Sequence, residues 1–276
     1  MKVNDSVNAS ATVQRFSEQG SAPRWADMYD APTRVLADAN FRTRRDVTVE
    51  YLRRVVPRDG RVLDLGCGTG PVLAEVRKHG LACTGLDLSP DMIERARGRL
   101  RTMGLADDDV HLGDCCRTPF ADASFDAVVC LGVISYVETY GDVLREIARL
   151  VKPGGHVIVS FRNRFNPTLW DPYVSLATLA RAATRRLGSE AYAIGRFMNF
   201  REVCAEMAAC GFEYQEHVGI GFGPIRFRGK ALLPESVSMK LSDALAALFA
   251  RIGWRVPSRW LADVSLWMYR KPASTS

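Results

Sequence analysis

Val62-Leu63-Asp64-Leu65-Gly66-Cys67-Gly68-Thr69-Gly70 joins an apolar run to a loop with glycine at every second position. The run that opens it, Arg61–Leu65, has the length and composition of a buried strand, and the glycines stop it abruptly. Glycine has no Cβ to block close approach and admits positive φ. A GxGxG loop between a strand and a helix therefore brings backbone tightly against a ligand or a neighbouring element. The following helix is expected over 70–78.

The same alternation continues on either side of the loop. A helix is expected over 41–56, ending before Pro57, and a second strand over 82–87. Ser89-Pro90 reads as an N-cap followed by proline at the first helical position. His111-Leu112 belongs to a third strand and 125–131 is a fourth. Thr139-Tyr140-Gly141-Asp142 reads as a capping box for a helix ending near Val151. Pro153-Gly154-Gly155 turns into a fifth strand over 156–161. A helix over 199–210, a strand over 212–220 and a last strand over 263–269 complete the series. Strands alternating with helices imply an α/β fold with a mainly parallel sheet, here of seven strands. The expected organisation is a leader over 1–40, one domain over 41–271 with insertions at 162–197 and 221–261, and a tail over 272–276.

Composition fits an ordinary globular chain, at 47% hydrophobic and 25% charged residues. No stretch approaches the ~20 apolar residues of a membrane span, and no apolar h-region follows Lys2, so a cytoplasmic location is expected. The seven cysteines form no CxxC pair and read as reduced, mostly buried thiols. Of the net charge of +6, the segment 223–271 alone accounts for nine Lys or Arg against three acids. A second basic stretch over 162–186 has five arginines against Asp171. The positive excess thus lies outside the glycine-loop core, in the two insertions.

Two acids narrow the ligand. Asp87 ends the second strand, where a carboxylate can accept the hydroxyls of an adenosine ribose. Dinucleotide loops share that acid but place their third glycine where Pro71 stands. Asp64, near the end of the first strand, suits a cationic group such as an amino group and is awkward beside a pyrophosphate.

VLDLGCGTG, GLDLSPDMIERAR, Gly113-Asp114-Cys115, FDAVVCLGVISYV and LVKPGGHVIVSF occur in this order and spacing over 61–161. They resemble the successive motifs of the class I S-adenosylmethionine-dependent methyltransferases. The resemblance implies a Rossmann-like sheet with an antiparallel final strand, helices on both faces, and S-adenosyl-L-methionine as cofactor. It assigns the methionine part to Asp64, Gly66, Cys67, Gly68 and Gly70, and the ribose to Asp87. Leu88 and Met92 would flank adenine, Asp114 would accept from its exocyclic amine with Cys115 nearby, and Leu131 would line the methionine through its backbone. Tyr29, in an aromatic-acidic leader, would close over the cofactor, and Arg45 on the preceding helix would meet the methionine carboxylate.

Methyl transfer from a sulfonium needs alignment and exclusion of water, and no metal in principle. No metal cluster is expected from the His, Cys and Asp spacing. Tyr136, after the fourth strand, is the first candidate general base, with a pocket-wall role as its alternative. His217 is the second, with a structural hydrogen-bonded role as its alternative. No Asp-Pro-Pro-Tyr-like tetrapeptide follows the fourth strand, so DNA-base amino methylation is not indicated.

The 221–261 insertion places Met239, Leu241, Leu245, Leu248, Phe249 and Ile252 on a helical stripe. Packing on its own domain is the ordinary role of such a helix. The sharper alternative joins it with Arg226, Arg228, Lys230, Arg255, Arg259 and Trp260 as a basic, aromatic lid for an anionic or amphiphilic acceptor, with peripheral membrane contact. The expected partner is a small molecule, methylated on oxygen or nitrogen. Rival readings are an RNA methyltransferase, a noncatalytic cofactor-binding protein on the same fold, and a nucleotide-dependent oxidoreductase. Oligomeric state is not legible.

Overall fold

The computed structural model describes Tyr29 and residues 36–163, 197–222, 226–227, 230–251 and 262–273. Most of the leader, most of the 162–197 insertion, and Arg228, Ile252, Arg255, Arg259 and Trp260 lie outside the described residues.

In chain order the elements are α1 (Leu36–Val55), β1 (Arg61–Leu65), α2 (Pro71–Lys78), β2 (Ala82–Asp87), α3 (Pro90–Thr102), β3 (Val110–Leu112) and β4 (Phe125–Leu131). A 3-10 turn (Val133–Ser135), α4 (Tyr140–Leu150), β5 (Val151–Arg162), α5 (Phe200–Ala209) and β6 (Glu213–Ile220) follow. The series closes with the short pair β7 (Arg226–Phe227) and β8 (Lys230–Ala231), then α6 (Glu235–Arg251) and β9 (Val264–Arg270).

Seven strands form one sheet in the order β3-β2-β1-β4-β5-β9-β6. Neighbours from β3 to β5 are parallel, and β9 runs antiparallel between β5 and β6. Apolar runs such as Val62-Leu63 and Val128-Val129-Cys130 are buried on both faces because helices cover both sides of the sheet. Leu52, Leu73, Val76, Ile93 and Leu100 from α1, α2 and α3 fill one side. Val143, Leu144 and Ile147 of α4, with Phe200, Val203 and Met207 of α5, fill the other at helical spacing. The strand order reverses between β1 and β4, which opens a crevice at their carboxyl ends.

Several local expectations change. The first helix starts at Leu36, five residues inside the expected leader. Pro90 does open α3, but Ser89 makes no side-chain cap bond, its backbone N–H being taken by Asp87 instead. Thr139 likewise makes no side-chain bond to the α4 backbone; its hydroxyl bonds the Asp142 carboxylate instead, which also pairs with Arg145, so the reciprocal capping box does not form. β5 begins at Val151 and absorbs the Pro153-Gly154-Gly155 turn as a register shift against β4. Among the α6 residues whose burial is described, Ser238 and Ser242 are buried; of the expected packing stripe, Met239 and Leu245 are partly buried and Leu241 and Leu248 are exposed. Cys67, Cys83 and Cys130 are buried thiols and the other four are partly exposed.

Candidate functional site

The loop between β1 and α2 is lashed to the neighbouring strand. The backbone N–H groups of Gly66 and Cys67 both donate to the Leu86 carbonyl, at 2.7 and 3.0 Å. Gly66 has φ +77°, and a Cβ there would lie 2.2 Å from Val133 Cγ2. Its glycine is demanded by protein packing. Gly68 has φ +53° and nothing within 4 Å of the Cβ position, so its glycine keeps open a space in front of the loop. Gly70 caps α2, with Pro71 in the first turn.

Asp64 is 3% exposed, and burial pushes its carboxyl up to about 7. The Leu73 N–H in the first turn of α2 pulls the other way, Asp87 adds repulsion, and Arg44 offsets part of it. A carboxyl so placed gains most from a cationic partner. The Asp87 carboxylate accepts from Gly68 N at 2.8 Å and from Ser89 N at 2.9 Å, and burial raises its pKa against these bonds. Asp87 therefore braces the glycine loop, and each oxygen retains a second lone pair for a hydroxyl donor.

The cation opposite Asp64 is Arg44, which the sequence reading missed by one residue. Arg44 is buried on α1 and donates from Nη2 to the Tyr29 hydroxyl at 2.8 Å; its Nη1 lies 3.5 Å from Ser160 Oγ. A Cβ on Gly132, just past β4, would sit 3.2 Å from Arg44 Nη1, which places the guanidinium beside the crevice. Arg45, partly buried, instead pairs with the exposed Asp46 at 2.7 Å. Helical phase did not separate the two arginines: counted from Asn40, Arg44 falls at about 40° and Arg45 at about 140°, both within the arc of the buried Asn40, Thr48, Leu52 and Val49.

Among the other expected residues, Met92 is buried, while Leu88 and Leu131 are partly exposed at the ends of β2 and β4. Asp114 Oδ1 accepts from Cys116 N at 2.8 Å, and the Cys115 thiol, hydrogen-bonded to the free thiol of Cys116 and buried, is pushed well up. Sequence spacing gave no metal cluster, yet Asp114, Cys115 and Cys116 bring ligand-type atoms within 4.8 Å of one another. Their internal hydrogen bonds account for this turn.

Tyr136 follows the 3-10 turn, and burial raises its phenol against the pull of Arg162 and Arg44. A phenol held above its ordinary value stays protonated at neutral pH and is a poor base. His217, the second candidate base, stands in the geometry of its structural alternative: it is buried in β6, stacked on Trp267 with centroids 4.8 Å apart, and its Nδ1 lies 2.7 Å from the Tyr214 hydroxyl. Trp267 continues the stack to Phe200 and Phe161 inside the core. Arg162, at the end of β5, stacks over Phe197 at 4.5 Å and lies 3.5 Å from Asp263.

Residues 63–159 match the methyltransferase domain family. The chain is 30% identical over 234 residues to the ubiquinone biosynthesis O-methyltransferase of Azorhizobium caulinodans, covering 82% of this chain and 89% of that one. It is 34% identical over 98 residues to a sterol 4-C-methyltransferase of Caenorhabditis elegans, covering 35% of this chain and 29% of that one. The magnesium protoporphyrin IX methyltransferase of Synechocystis PCC 6803, solved with bound SAH, shares the fold with a TM-score of 0.66 at 14% identity, over 96% of this chain and 99% of that one. With the seven-stranded order and the glycine loop already described, these likenesses settle the family: the chain belongs to the class I, Rossmann-like S-adenosylmethionine-dependent methyltransferases.

Proposed function

We propose that the crevice over β1, β2 and β4 holds S-adenosylmethionine, and that the chain directs its methyl group to an oxygen or nitrogen of a small anionic or amphiphilic acceptor. One observation carries the reading: Asp64 and Arg44 set a buried anion and a buried cation within electrostatic reach of each other beside one glycine loop. That pairing complements the zwitterionic end of an amino acid, and a dinucleotide offers no such end.

The residues present fit the cofactor. Asp64 accepts from the α-ammonium and Arg44, steadied by Tyr29, receives the α-carboxylate. Gly68 leaves the approach open, Asp87 accepts from ribose hydroxyls, Leu88 and Met92 flank adenine, and Asp114 accepts from the exocyclic amine. Cys67, Gly66, Gly70, Cys115 and Leu131 shape the walls. When bound, S-adenosylmethionine supplies an electrophilic methyl group. Tyr136 positions the acceptor through its protonated phenol, and the protein's main contribution is alignment in a site closed to water. The acceptor's acidic proton leaves to solvent or to a basic group of the acceptor itself.

Arg162, at the acceptor end of β5, supports an anionic group on the acceptor. The O-methyltransferase relative of ubiquinone biosynthesis supports oxygen ahead of nitrogen. The test has two parts. Calorimetric titration with S-adenosylmethionine, S-adenosylhomocysteine and NAD is expected to show binding of the first two only. Label transfer from methyl-labelled cofactor into a metabolite extract, followed by mass identification, is expected to yield a small product. Binding of NAD in place of S-adenosylmethionine, or label found solely in RNA, overturns the reading.

A further inference from the structure

We infer that the outward face of α6 is a docking surface for an anionic lipid bilayer, on which the chain sits peripherally. Independently of the cofactor crevice, α6 leaves several aliphatic side chains exposed. A helix on a globular domain ordinarily buries its aliphatic stripe and exposes its polar one. Among the α6 residues whose burial is described, Ser238 and Ser242 are buried, 3% and 5% exposed, Met239 and Leu245 are partly so, and Ser242 Oγ accepts from the backbone N–H of Phe222 at 3.0 Å. Ser242 thus ties the helix to the body. Val237, Leu241 and Leu248 remain 44%, 36% and 48% exposed, and Leu232, in the turn before the helix, 59%.

At 3.6 residues per turn, Val237, Leu241, Ala244 and Leu248 lie within about 60° of one another, so the exposed apolar residues form one stripe. Exposed Lys240 and Arg251 border that stripe, within about 40° of Ala244, on the side away from the body. Asp243, the exposed acid of α6, lies about 130° from the stripe's centre, and Glu235 is on the packed side. Aliphatic side chains flanked by long basic ones whose stems can reach up and whose charges can stay at the headgroups is the arrangement that an anionic interface selects. In sequence, the segment leading into α6, 223–234, adds Arg226, Arg228 and Lys230 and no acid. A second copy of the chain is the poorer occupant: a two-fold contact through this stripe brings the Lys240 and Arg251 edges of both helices together, like charge against like. No described helix is long and apolar enough to cross a membrane, so the attachment is lateral.

The experiment is co-sedimentation of the full chain with vesicles of phosphatidylcholine alone or mixed with phosphatidylglycerol, over a range of salt. Pelleting is expected with the mixed vesicles, weakening as salt rises. Leu241→Glu with Leu248→Glu is expected to lower vesicle partitioning roughly tenfold or more while thermal stability and S-adenosylmethionine affinity stay unchanged. Lys240→Glu with Arg251→Glu is expected to remove the preference for phosphatidylglycerol, also by roughly tenfold. The proposal is overturned if the folded wild-type chain ignores mixed vesicles, or if both pairs of substitutions pellet as the wild type does. It is also overturned if light scattering shows a dimer that Leu241→Glu dissociates in a chain indifferent to lipid. Loss of cofactor binding in the wild type would instead count against the crevice reading and leave the vesicle result standing.

Discussion

Arg44 donates from Nη2 to the Tyr29 hydroxyl at 2.8 Å, tying a residue of the N-terminal segment to a buried cation on α1. The same guanidinium lies beside Gly132 and offsets the raised pKa of Asp64, so leader and core meet at one charge. Arg44→Ala should weaken S-adenosylmethionine binding roughly tenfold to a hundredfold, the range for a charge-assisted hydrogen-bonded pair. Arg45→Ala, whose side chain already pairs with Asp46, should leave affinity unchanged. Tyr29→Phe should cost a few fold. Calorimetry on the three variants checks the assignment, and equal losses for Arg44 and Arg45 would refute it.

Asp64 predicts a trade between stability and binding. Its folded-state value of about 7 lies above the ordinary 3.8. A carboxyl raised on folding stabilises the fold below its unfolded value; that contribution drains away as pH rises toward 7 and is gone above it. Asparagine imitates the neutral acid at every pH. Asp64→Asn should therefore raise the melting temperature of the ligand-free chain at pH 8 by roughly 3 °C or more, and do much less at pH 4. The same substitution should weaken cofactor binding, because a neutral amide cannot meet an ammonium charge. Scanning calorimetry at the two pH values, with and without ligand, reads both effects.

The pH dependence of binding follows from the same group. Ionised Asp64 is the form that meets an ammonium, so below pH 7 binding must expel a proton. Affinity should climb by up to about tenfold per pH unit below 7 and level off above it. Titrations near pH 6 in buffers of different ionisation enthalpy should show proton release in the wild type and none in Asp64→Asn.

Legibility in the sequence followed how local the deciding interactions are. β1, β2 and β4 could be read to the residue because each is a short apolar run bounded by glycine or an acid. Asp64 and Asp87 were legible because strand ends fix where their side chains stand. The arginine on α1 was not, because Arg44 and Arg45 both fall within the buried arc of the helix and only their tertiary partners, Tyr29 and Asp46, tell them apart. His217 could not be placed because its surroundings come from Trp267, fifty residues later in the chain and paired with it across β6 and β9. The packing side of α6 was read only in part, because the Ser242 bond to the Phe222 N–H, distant in sequence, turns Leu241 and Leu248 of the aliphatic stripe outward.

The glycine loop separates a packing role from a ligand role. Gly66→Ala should fold poorly, because its Cβ meets Val133 at 2.2 Å and φ +77° strains an L residue. Val133→Ala should restore it in part by removing the clash and leaving the strain. Gly68→Ala should fold, with a stability loss of about 1 to 2 kcal/mol from its left-handed φ, since nothing stands within 4 Å. Its affinity for S-adenosylmethionine should nonetheless fall, because the new methyl enters the space the ligand needs. Circular dichroism paired with calorimetry distinguishes the two glycines.

Tyr136 and His217 can be told apart by kinetics once an acceptor has been found by label transfer. A general base contributes about 10²- to 10⁴-fold, and removing one erases the matching limb of the pH profile. Burial holds the Tyr136 phenol protonated at neutral pH, so Tyr136→Phe should lower kcat/KM by less than about tenfold, mainly through KM, and leave the pH profile intact. A loss of a hundredfold or more in kcat with a flattened profile would make Tyr136 the base. His217 is held by the Tyr214 hydroxyl and the Trp267 ring on the core side of β6. His217→Phe keeps the stack and loses one hydrogen bond, so turnover should be retained while stability falls by about 1 to 2 kcal/mol. If His217→Phe abolished turnover in a chain of unchanged stability, the side chain would have to leave its stack on Trp267 during the reaction. In that case the crevice between β1 and β4 could not be the whole of the active site.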